Sequence, residues 1–560
     1  MGRAPSLVVV AFAALGLLGL ATGARAQPVA DAATVAPTPA VDAGVPAVGD
    51  AGGATAPTTV PIVDDASEAV PTVPADEGSD AGAPTSPPAT DGGPPAPAPV
   101  PAGEDGFSPT RALPDYDQRG DDPGTGWGWW LLRIPLAPLY LVTEFVFRRP
   151  LGFLIAGAEQ AQLPALLVDF FTFGPEQKSG LIPTFLIDFG FLPSVGLYFF
   201  ADDVGAEGHA IRIRGATWGE DWLTISLIDR VTIARETTLG IRAQGTRRKD
   251  WLFYGMGPNA SRYNESRYSR DLLEAGLVLD SAFWRASTLR VFAGVRRSTF
   301  SSRETCCGEP SIDQRIVSGP GEWNDDRRMV VPDEDATREI MQQDIQNLVL
   351  PPGFTSGYFI YRQGFDVAVD SRRNRPDNAS GFRVAASLEQ AFSLEEPLQS
   401  RWVRWGGALG GFLDVSGLGH VVGLQVAAYF ADPLGYDPRT GGDNEVPFTE
   451  QVMVGGNVLL RGFVEGYLID RSALAATLEY RWPIWVFLDG TIQAAFGNVF
   501  GEHLDGLAID RLRGSFTIGL RTLSRPDHAI DFMFGVGTQP IDDGFEVESI
   551  RFVIGGTTGF

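Results

Sequence analysis

Cysteine and histidine are scarce in this chain of 560 residues, which has two cysteines and four histidines. The cysteines are neighbours, Cys306 and Cys307. Neither their number nor their spacing fits a metal site or a framework of disulfides. The pair could close on itself as a vicinal disulfide in a secreted protein, or remain as two free thiols. We therefore expect no bound metal and no cofactor.

The common catalytic motifs are missing as well. The sequence contains no HExxH, no GxSxG and no nucleotide-phosphate loop. A lipolytic enzyme would need a Ser–His pair, and none of the histidines has a serine partner at a recognisable motif: His209, His420, His503 and His528. The sequence therefore predicts that this protein is not an enzyme.

Basic residues are absent from residues 27–105, which contain 12 acidic residues and are built mainly from Ala, Pro, Thr, Val, Gly and Asp. Such a segment cannot bury enough apolar surface to offset its ordering entropy, so we expect a disordered linker. It accounts for 12 units of the net charge of −25, and the acidity therefore says little about partners. We expect no nucleic-acid partner.

The first 26 residues have the pattern of a signal peptide. Arg3 precedes an apolar run from Leu7 to Leu20, and Ala24-Arg25-Ala26 forms a small-x-small cleavage site. A secreted protein whose mature chain starts near Gln27 is predicted.

From about residue 181 the apolar pattern has a period of two. Leu478, Tyr480 and Trp482 share one face of a strand, whereas Glu479 and Arg481 share the other. A soluble sandwich also alternates. Here charged residues recur on one face of many strands, as a membrane barrel requires because lipid lies outside and a wet lumen inside. We predict an all-β fold, a 16-stranded antiparallel transmembrane β-barrel over 181–560, with strand centres near 186, 198, 212, 225, 242, 274, 293, 364, 387, 408, 424, 477, 491, 517, 532 and 553.

Loop lengths and the C-terminus agree with this prediction. The long connections 249–266, 300–355 and 432–471 follow odd-numbered strands, so they lie on one side of the barrel, as outer loops do. The final strand alternates up to a terminal aromatic residue, Phe560, which is typical of the recognition signal of outer-membrane barrels.

Residues 106–180 form a separate aromatic segment. The run 127–147 is apolar but contains two prolines and two charged residues, which a membrane helix avoids. We expect two short amphipathic helices, one near 127–147 and a second near 151–171 that is broken near Pro164. They would lie at the inner membrane interface or in the barrel mouth; a transmembrane helix is the alternative.

Four short motifs resemble those of the BamA/TamA-type outer-membrane assembly barrels, also called the bacterial surface antigen family. The loop tip Leu460-Arg461-Gly462-Phe463 is similar to the family's [VL]-R-G-[FY]. Three further motifs occur in family order: F-Y-G-x-G (Tyr254, Gly255, Gly257), D-[ST]-R-x-N (Asp370, Arg372, Asn374, followed by Gly381) and E-Y-R-x-P (Glu479 to Pro483).

The resemblance implies that loop 432–471 folds into the lumen. Arg461 would be held there by Glu479, Gly462 would allow a tight turn, and Phe463 would anchor the tip. The alternative is that Arg461 only plugs the pore. The family often has a second acid where this chain has Ala495. The motif of Asp370, Arg372 and Asn374 is interpreted as a hydrogen-bonded turn at the inner rim.

The resemblance also implies a function. Members that insert other barrels carry POTRA domains, and no such pattern precedes this barrel. We expect an insertion or translocation factor in the bacterial outer membrane with its linker in the periplasm. Its partners would be the lipid bilayer and nascent outer-membrane proteins or envelope lipoproteins. Pro183 would weaken the seam between the first and last strands, because proline lacks a ladder donor. The alternative is a pore or structural surface anchor.

Overall fold

The chain forms a closed barrel in the computed structural model. The model describes residues 128–162, 166, 169–303, 305–318, 350–372, 380–395, 400–417, 419–437, 442–443, 445–485, 488–522 and 529–558. Sixteen antiparallel strands of this described part make the wall, and each expected strand centre lies within one of them. The predicted 16-stranded barrel is therefore confirmed.

The barrel strands are numbered in chain order. They are β1 Ser179–Asp188, β2 Ser194–Asp202, β3 His209–Thr217, β4 Trp222–Ala234, β5 Thr237–Phe253, β6 Ser266–Trp284, β7 Ser287–Ser301, β8 Tyr358–Asp370, β9 Gly381–Ser393, β10 Arg401–Asp414, β11 Val421–Pro433, β12 Ser472–Trp485, β13 Leu488–Phe500, β14 Arg513–Thr522, β15 Ala529–Pro540 and β16 Val547–Thr558. β1 starts two residues before the expected boundary at 181.

The two faces of the wall differ in chemistry. Large apolar side chains such as Leu273, Leu409 and Leu478 are exposed on the outside, whereas Arg296 and Arg551 are buried inside. This distribution suits a cylinder with hydrocarbon outside and a polar lumen. Turns as short as residues 235–236 and 285–286 follow even strands, and the long connections follow odd strands, which defines an inner and an outer rim.

The outer end of the lumen is filled by an apolar cluster. Trp251 and Tyr268 from the outer ends of strands pack with Phe448, Phe463 and other residues of loop 434–471. This loop also contains two short hairpins, Tyr436–Asp437 with Gly442–Asp443 and Val452–Val454 with Leu468–Asp470. The loop therefore folds into the barrel rather than outward.

A continuous helix, residues 128–160, precedes the barrel. It consists of α1 (Gly128–Val142), a π-helical turn (Thr143–Arg148) and α2 (Arg149–Gln160), and we call 128–160 the N-terminal helix. Helices near 127–147 and 151–171 were expected as separate elements, and the structure joins the first to the start of the second. Helical residues occur again at 166 and 169–171, beyond the position of Pro164, which lies outside the described residues. Of the described helices, none is both long and apolar enough to cross a membrane. A short helix α3 (Ile312–Ser318) lies in the connection between β7 and β8.

A short strand, Thr172–Phe173, pairs with the start of β1. Short 3₁₀ turns occupy Pro175–Gln177, Arg262–Asn264, Phe448–Glu450 and Glu502–Leu504. The expected signal peptide (1–26), the linker (27–105), Asn374 and Phe560 lie outside the described residues.

Candidate functional site

The seam that closes the barrel is short. β1 and β16 pair at three positions, where Leu186, Ile187 and Asp188 face Gly555, Ile554 and Val553 respectively. On its other edge, β1 pairs with β2 at eight positions, from Ser179 to Leu186. Because Asp188 is the outer end of β1, the seam pairs near the outer rim and stops before the inner rim.

The chain itself covers part of the unpaired edge. Thr172 and Phe173 pair with Gly180 and Ser179, on the edge of β1 that does not face β2. Between this short strand and the seam pairs, residues 181–185 have no strand partner on that edge among the described residues. Pro183, which lacks an N–H group, lies in this interval.

A buried ion pair crosses the seam. Arg551 of β16 donates two hydrogen bonds to the carboxylate of Asp188 in β1, at 2.8 and 2.7 Å. This two-pronged geometry is the strong form of a charge-assisted hydrogen bond. Arg551 is fully buried on the lumen side of the wall. The role of Asp188 was missed because nothing in the sequence pairs the two ends of the barrel.

Arg551 also holds loop 434–471. Its guanidinium donates to the backbone oxygens of Gly456 and Arg461 and to Oδ1 of Asn457. The same side chain thus contacts β1 and the loop, so seam and loop are joined by one residue.

The Arg-Gly-Phe tip lies against the last three strands. Gly462 donates its N–H to Ser515 Oγ of β14 at 2.8 Å, and its carbonyl accepts from Ser549 Oγ of β16 at 3.2 Å. A Cβ at Gly462 would come within 2.1 Å of the carbonyl oxygen of Val536 in β15. Phe463 is fully buried.

The reason for glycine at position 462 differs from the expected one. The backbone conformation that favours glycine belongs to Leu460, whose φ is +52°, and not to Gly462. Gly462 is instead required by the close approach of the tip to the backbone of β15, where no side chain fits.

Glu450, a carboxylate that the sequence interpretation missed, binds the same loop to β7, β8 and β10. Arg296 of β7 donates to it at 3.0 Å, Arg404 of β10 at 3.4 Å and the Tyr358 hydroxyl of β8 at 2.6 Å. Burial would raise the pKa of Glu450, but these three groups outweigh it and lower that pKa to about 2. The carboxylate therefore stays charged and bound.

The network continues along the wall. Arg296 also donates to Glu274 at 2.9 Å, and Arg362 donates to Glu274 and Glu389. These two glutamates and two arginines lie on the four neighbouring strands β6 to β9, so their charges are compensated inside the lumen. Glu450 of the loop joins this network of wall charges, so it anchors the loop at a specific place on the wall.

The F-Y-G-x-G motif contacts the C-terminal part of the same loop. The ring of Tyr254 stacks on Tyr467 at 4.1 Å between centroids, and Gly257 donates its N–H to the carbonyl of Ile469 at 2.8 Å. Gly255 and Gly257 have φ of +101° and +93°, which favours glycine at both positions.

The pairing of Arg461 with Glu479 stays a prediction. Glu479 is buried on the lumen face, where it accepts from Arg481 at 2.7 Å and from Thr491 at 3.2 Å. It lies on the same row of the sheet as Gly535, which contacts the tip, three strands away through Gln493 and Thr517. Ala495, in the place of the family's second acid, is buried.

The two remaining groups lie away from the seam. Asp370 accepts from the backbone N–H and the guanidinium of Arg372 at the inner rim, and a Cβ at Gly381 would come within 2.6 Å of Ser371 Oγ. Cys306 and Cys307 are joined by a disulfide in the connection between β7 and β8.

Comparisons with known proteins return barrels of low similarity. A structure of BamA from Haemophilus ducreyi lacking POTRA domains 1-3 is 14% identical, with 68% of this chain and 70% of that chain covered and a TM-score of 0.42. CdiB from Acinetobacter baumannii is 11% identical, with 68% and 60% covered and a TM-score of 0.36. OccK11 (OpdR) from Pseudomonas aeruginosa is 8% identical, with 67% and 94% covered and a TM-score of 0.29.

No family model and no curated protein matches the sequence. These similarities assign neither a family nor a function.

Proposed function

We propose that this protein is an assembly or translocation barrel of the bacterial outer membrane, related to the BamA/TamA-type family by its four motifs. It would act by accepting an extended client segment at the seam, so its chemistry is positioning rather than bond-making. The observation that carries the proposal is the short pairing of β1 with β16: three register positions among the described residues, with one further backbone hydrogen bond from Phe189 N–H to the Phe552 carbonyl. Unpaired strand edges are templates for added strands.

The shape of the seam supports one direction of access. β1 and β16 pair near the outer rim, and the interval 181–185 is open on the inner side of these pairs. A client segment arriving from the inner side of the membrane would meet this free edge before the paired part. Separation of three backbone pairs would then widen the opening.

The filled lumen supports assembly over a pore. Phe448 and Phe463 are fully buried in the apolar cluster at the outer end, and Glu450 is held by three wall residues. A permanently open pore would require loop 434–471 to move out of the lumen. The pore or surface-anchor alternative is therefore less well supported.

The test is a reversible lock of the seam. Ile187→Cys and Ile554→Cys place two thiols directly opposite each other, within the reach of a disulfide. The matched control is Leu424→Cys with Leu478→Cys, which face each other across the permanently paired strands β11 and β12. Both pairs are made with Cys306 and Cys307 replaced by serine, in a strain depleted of the native protein.

The expected result is that oxidation of the seam pair lowers the abundance of other outer-membrane proteins, that a reductant restores it, and that the control pair has no effect. Normal abundance with a fully oxidised seam would overturn the proposal. So would depletion that leaves the inventory of outer-membrane proteins unchanged. A large, steady conductance of the native protein in a planar bilayer would instead support the pore.

A further inference from the structure

The N-terminal helix packs on the lipid-facing side of the wall. Tyr480, Trp482 and Ile484 of β12 share the outward face with Leu478, since they alternate with the lumen residues Glu479 and Arg481. Leu478 is 51% exposed, whereas Tyr480, Trp482 and Ile484 are 7%, 1% and 0% exposed. They are covered by residues of the helix: Leu139, Phe147 and Leu151.

Ring and backbone contacts fix the position of the helix. Phe147 lies 6.1 Å from Trp482 between ring centroids, and a Cβ at Gly152 would meet the Trp485 ring at 3.4 Å. Trp485 is the last residue of β12 and therefore lies at the inner rim. The helix thus sits outside the barrel at its inner end, and not in the barrel mouth.

A small polar cluster lies between helix and wall. The Tyr480 hydroxyl is 2.7 Å from Nδ1 of His420 and hydrogen-bonds with Thr143, which is fully buried. Tyr140 places its ring 5.2 Å from the His420 ring. Hydroxyl groups at membrane depth need partners because hydrocarbon offers none. The helix and the inner turn supply them here, so the docking is specific.

The opposite face of the helix is apolar as well. Within residues 134–158 the charged side chains are Glu144, Arg148 and Arg149, and Glu144 pairs with both arginines, at 2.9 and 3.4 Å. A helix that is apolar all round needs apolar surroundings on every side. Phe153 is 79% exposed on the free face, which it shares with other exposed apolar residues: Ile134, Leu141, Phe145, Val146 and Leu154.

This free face is continuous with the surface that the barrel offers to lipid. Leu424 on β11 and Leu478 on β12 face each other one step closer to the outer rim than the patch covered by the helix (Tyr480, Trp482 and Ile484). Both leucine side chains are exposed. Wall and helix therefore form one uninterrupted apolar surface, and an occupant that covers one also covers the other.

We propose that the N-terminal helix is embedded in the inner half of the bilayer, with lipid acyl chains as the ligand of its free face. The helix is a built part of the lipid-facing surface of the barrel, held by the Tyr480 cluster. The inference rests on the barrel alone and does not depend on client insertion at the seam.

The test uses the full chain reconstituted in phosphatidylcholine vesicles that contain lipids with nitroxide-labelled acyl chains. A single cysteine carrying the fluorophore NBD replaces Phe153, in a background where Cys306 and Cys307 are serine. Leu424→Cys is the reference for a lipid-exposed wall position, and Ile509→Cys in the outer loop 501–512 is the reference for water exposure. Phe145→Cys is a second position on the helix, should Phe153→Cys fail to fold.

We expect nitroxide lipids to quench NBD at Phe153 by the same fraction as at Leu424, and aqueous iodide to quench only the probe at Ile509. Iodide quenching at Phe153 would overturn the proposal, because the free face would then contact water. Absence of quenching by either agent, with Leu424 quenched by lipid, would also overturn it, because protein would then cover the face.

Discussion

Arg551 in the last strand binds Asp188 in the first through two hydrogen bonds of 2.8 and 2.7 Å. The ion pair lies directly beside the three backbone pairs of the seam. The Arg551 guanidinium also donates a hydrogen bond to the backbone of loop 434–471. A side-chain contact therefore carries much of the closure where backbone pairing is short. This arrangement makes the seam sensitive to single substitutions.

Asp188→Asn should loosen the seam, because it leaves Arg551 charged and buried without its ionised partner. Breaking a buried ion pair on one side costs about 3 kcal/mol or more. We expect the folded band on semi-native gels to disappear at a lower temperature, and the conductance in planar bilayers to flicker more.

The matched control is Asp202→Asn, which removes the partner of Arg212 at 2.6 Å next to the longer ladder between β2 and β3. It should lower the melting temperature without increasing the flicker. Equal flicker in both variants would show that Asp188 has no special role at the seam.

Glu450→Gln should release loop 434–471 from β7 and β10, since Arg296 and Arg404 would lose the carboxylate that they share. Neutralising one partner of a buried ion pair is expected to cost several kcal/mol, on the order of 3. The measurement is the rate of proteolytic cleavage within the loop. The control, Glu445→Gln, changes an exposed glutamate of the same loop and should cleave at the native rate.

The anchor at Glu450 should survive mild acid. Its pKa is lowered to about 2 from an ordinary value of 4.5, so its stabilising contribution is complete above that ordinary value and is lost as the pH falls toward 2. The native loop should therefore resist a protease that is active in acid down to about pH 4. Release of the loop at pH 5 to 6 would contradict the charged, bound state of Glu450.

Gly462→Ala should displace the tip of the loop, because the new Cβ would lie 2.1 Å from the carbonyl oxygen of Val536. Backbone cannot yield as a flexible side chain can, so the hydrogen bond to Ser515 should be lost. Openings in planar bilayers should become longer and more frequent. Gly411→Ala, where the Cβ meets open space in β10, should behave as the native protein does.

A double-mutant cycle with Arg461→Ala and Glu479→Gln tests the predicted pair. A direct contact should give a coupling free energy of about 0.5–3 kcal/mol in thermal unfolding, whereas independent residues should be additive within about 0.5 kcal/mol. Glu479 with Arg481, a pair at 2.7 Å, serves as the positive control. Additivity would show that Glu479 does not hold Arg461 and would favour the alternative that Arg461 plugs the pore.

The strands could be predicted from the sequence because their signal is local. Alternation in β12 places Leu478 outside and Glu479 inside, and the same pattern repeats in each strand of the wall. The loop tip could be identified by motif. Both depend only on residues that are near one another in the chain.

The anchors could not be predicted, because their partners come together only after closure. Glu450 binds residues of β7, β8 and β10, and Asp188 binds a residue 363 positions away. The side on which the N-terminal helix docks was also undetermined, because an apolar stripe fits the lumen, the interface or the wall equally well. The contacts of Trp482 decide it.

Among its contacts with the wall, loop 434–471 has two anchors on well-separated strands, Glu450 at β7 to β10 and its tip at β14 to β16. The loop therefore spans the lumen and connects these two parts of the wall. Flattening the cylinder along that line, by lateral pressure or by a thinner bilayer, would load both anchors at once. A change in the shape of the barrel cross-section would therefore also strain the hydrogen bonds between Arg551 and the loop.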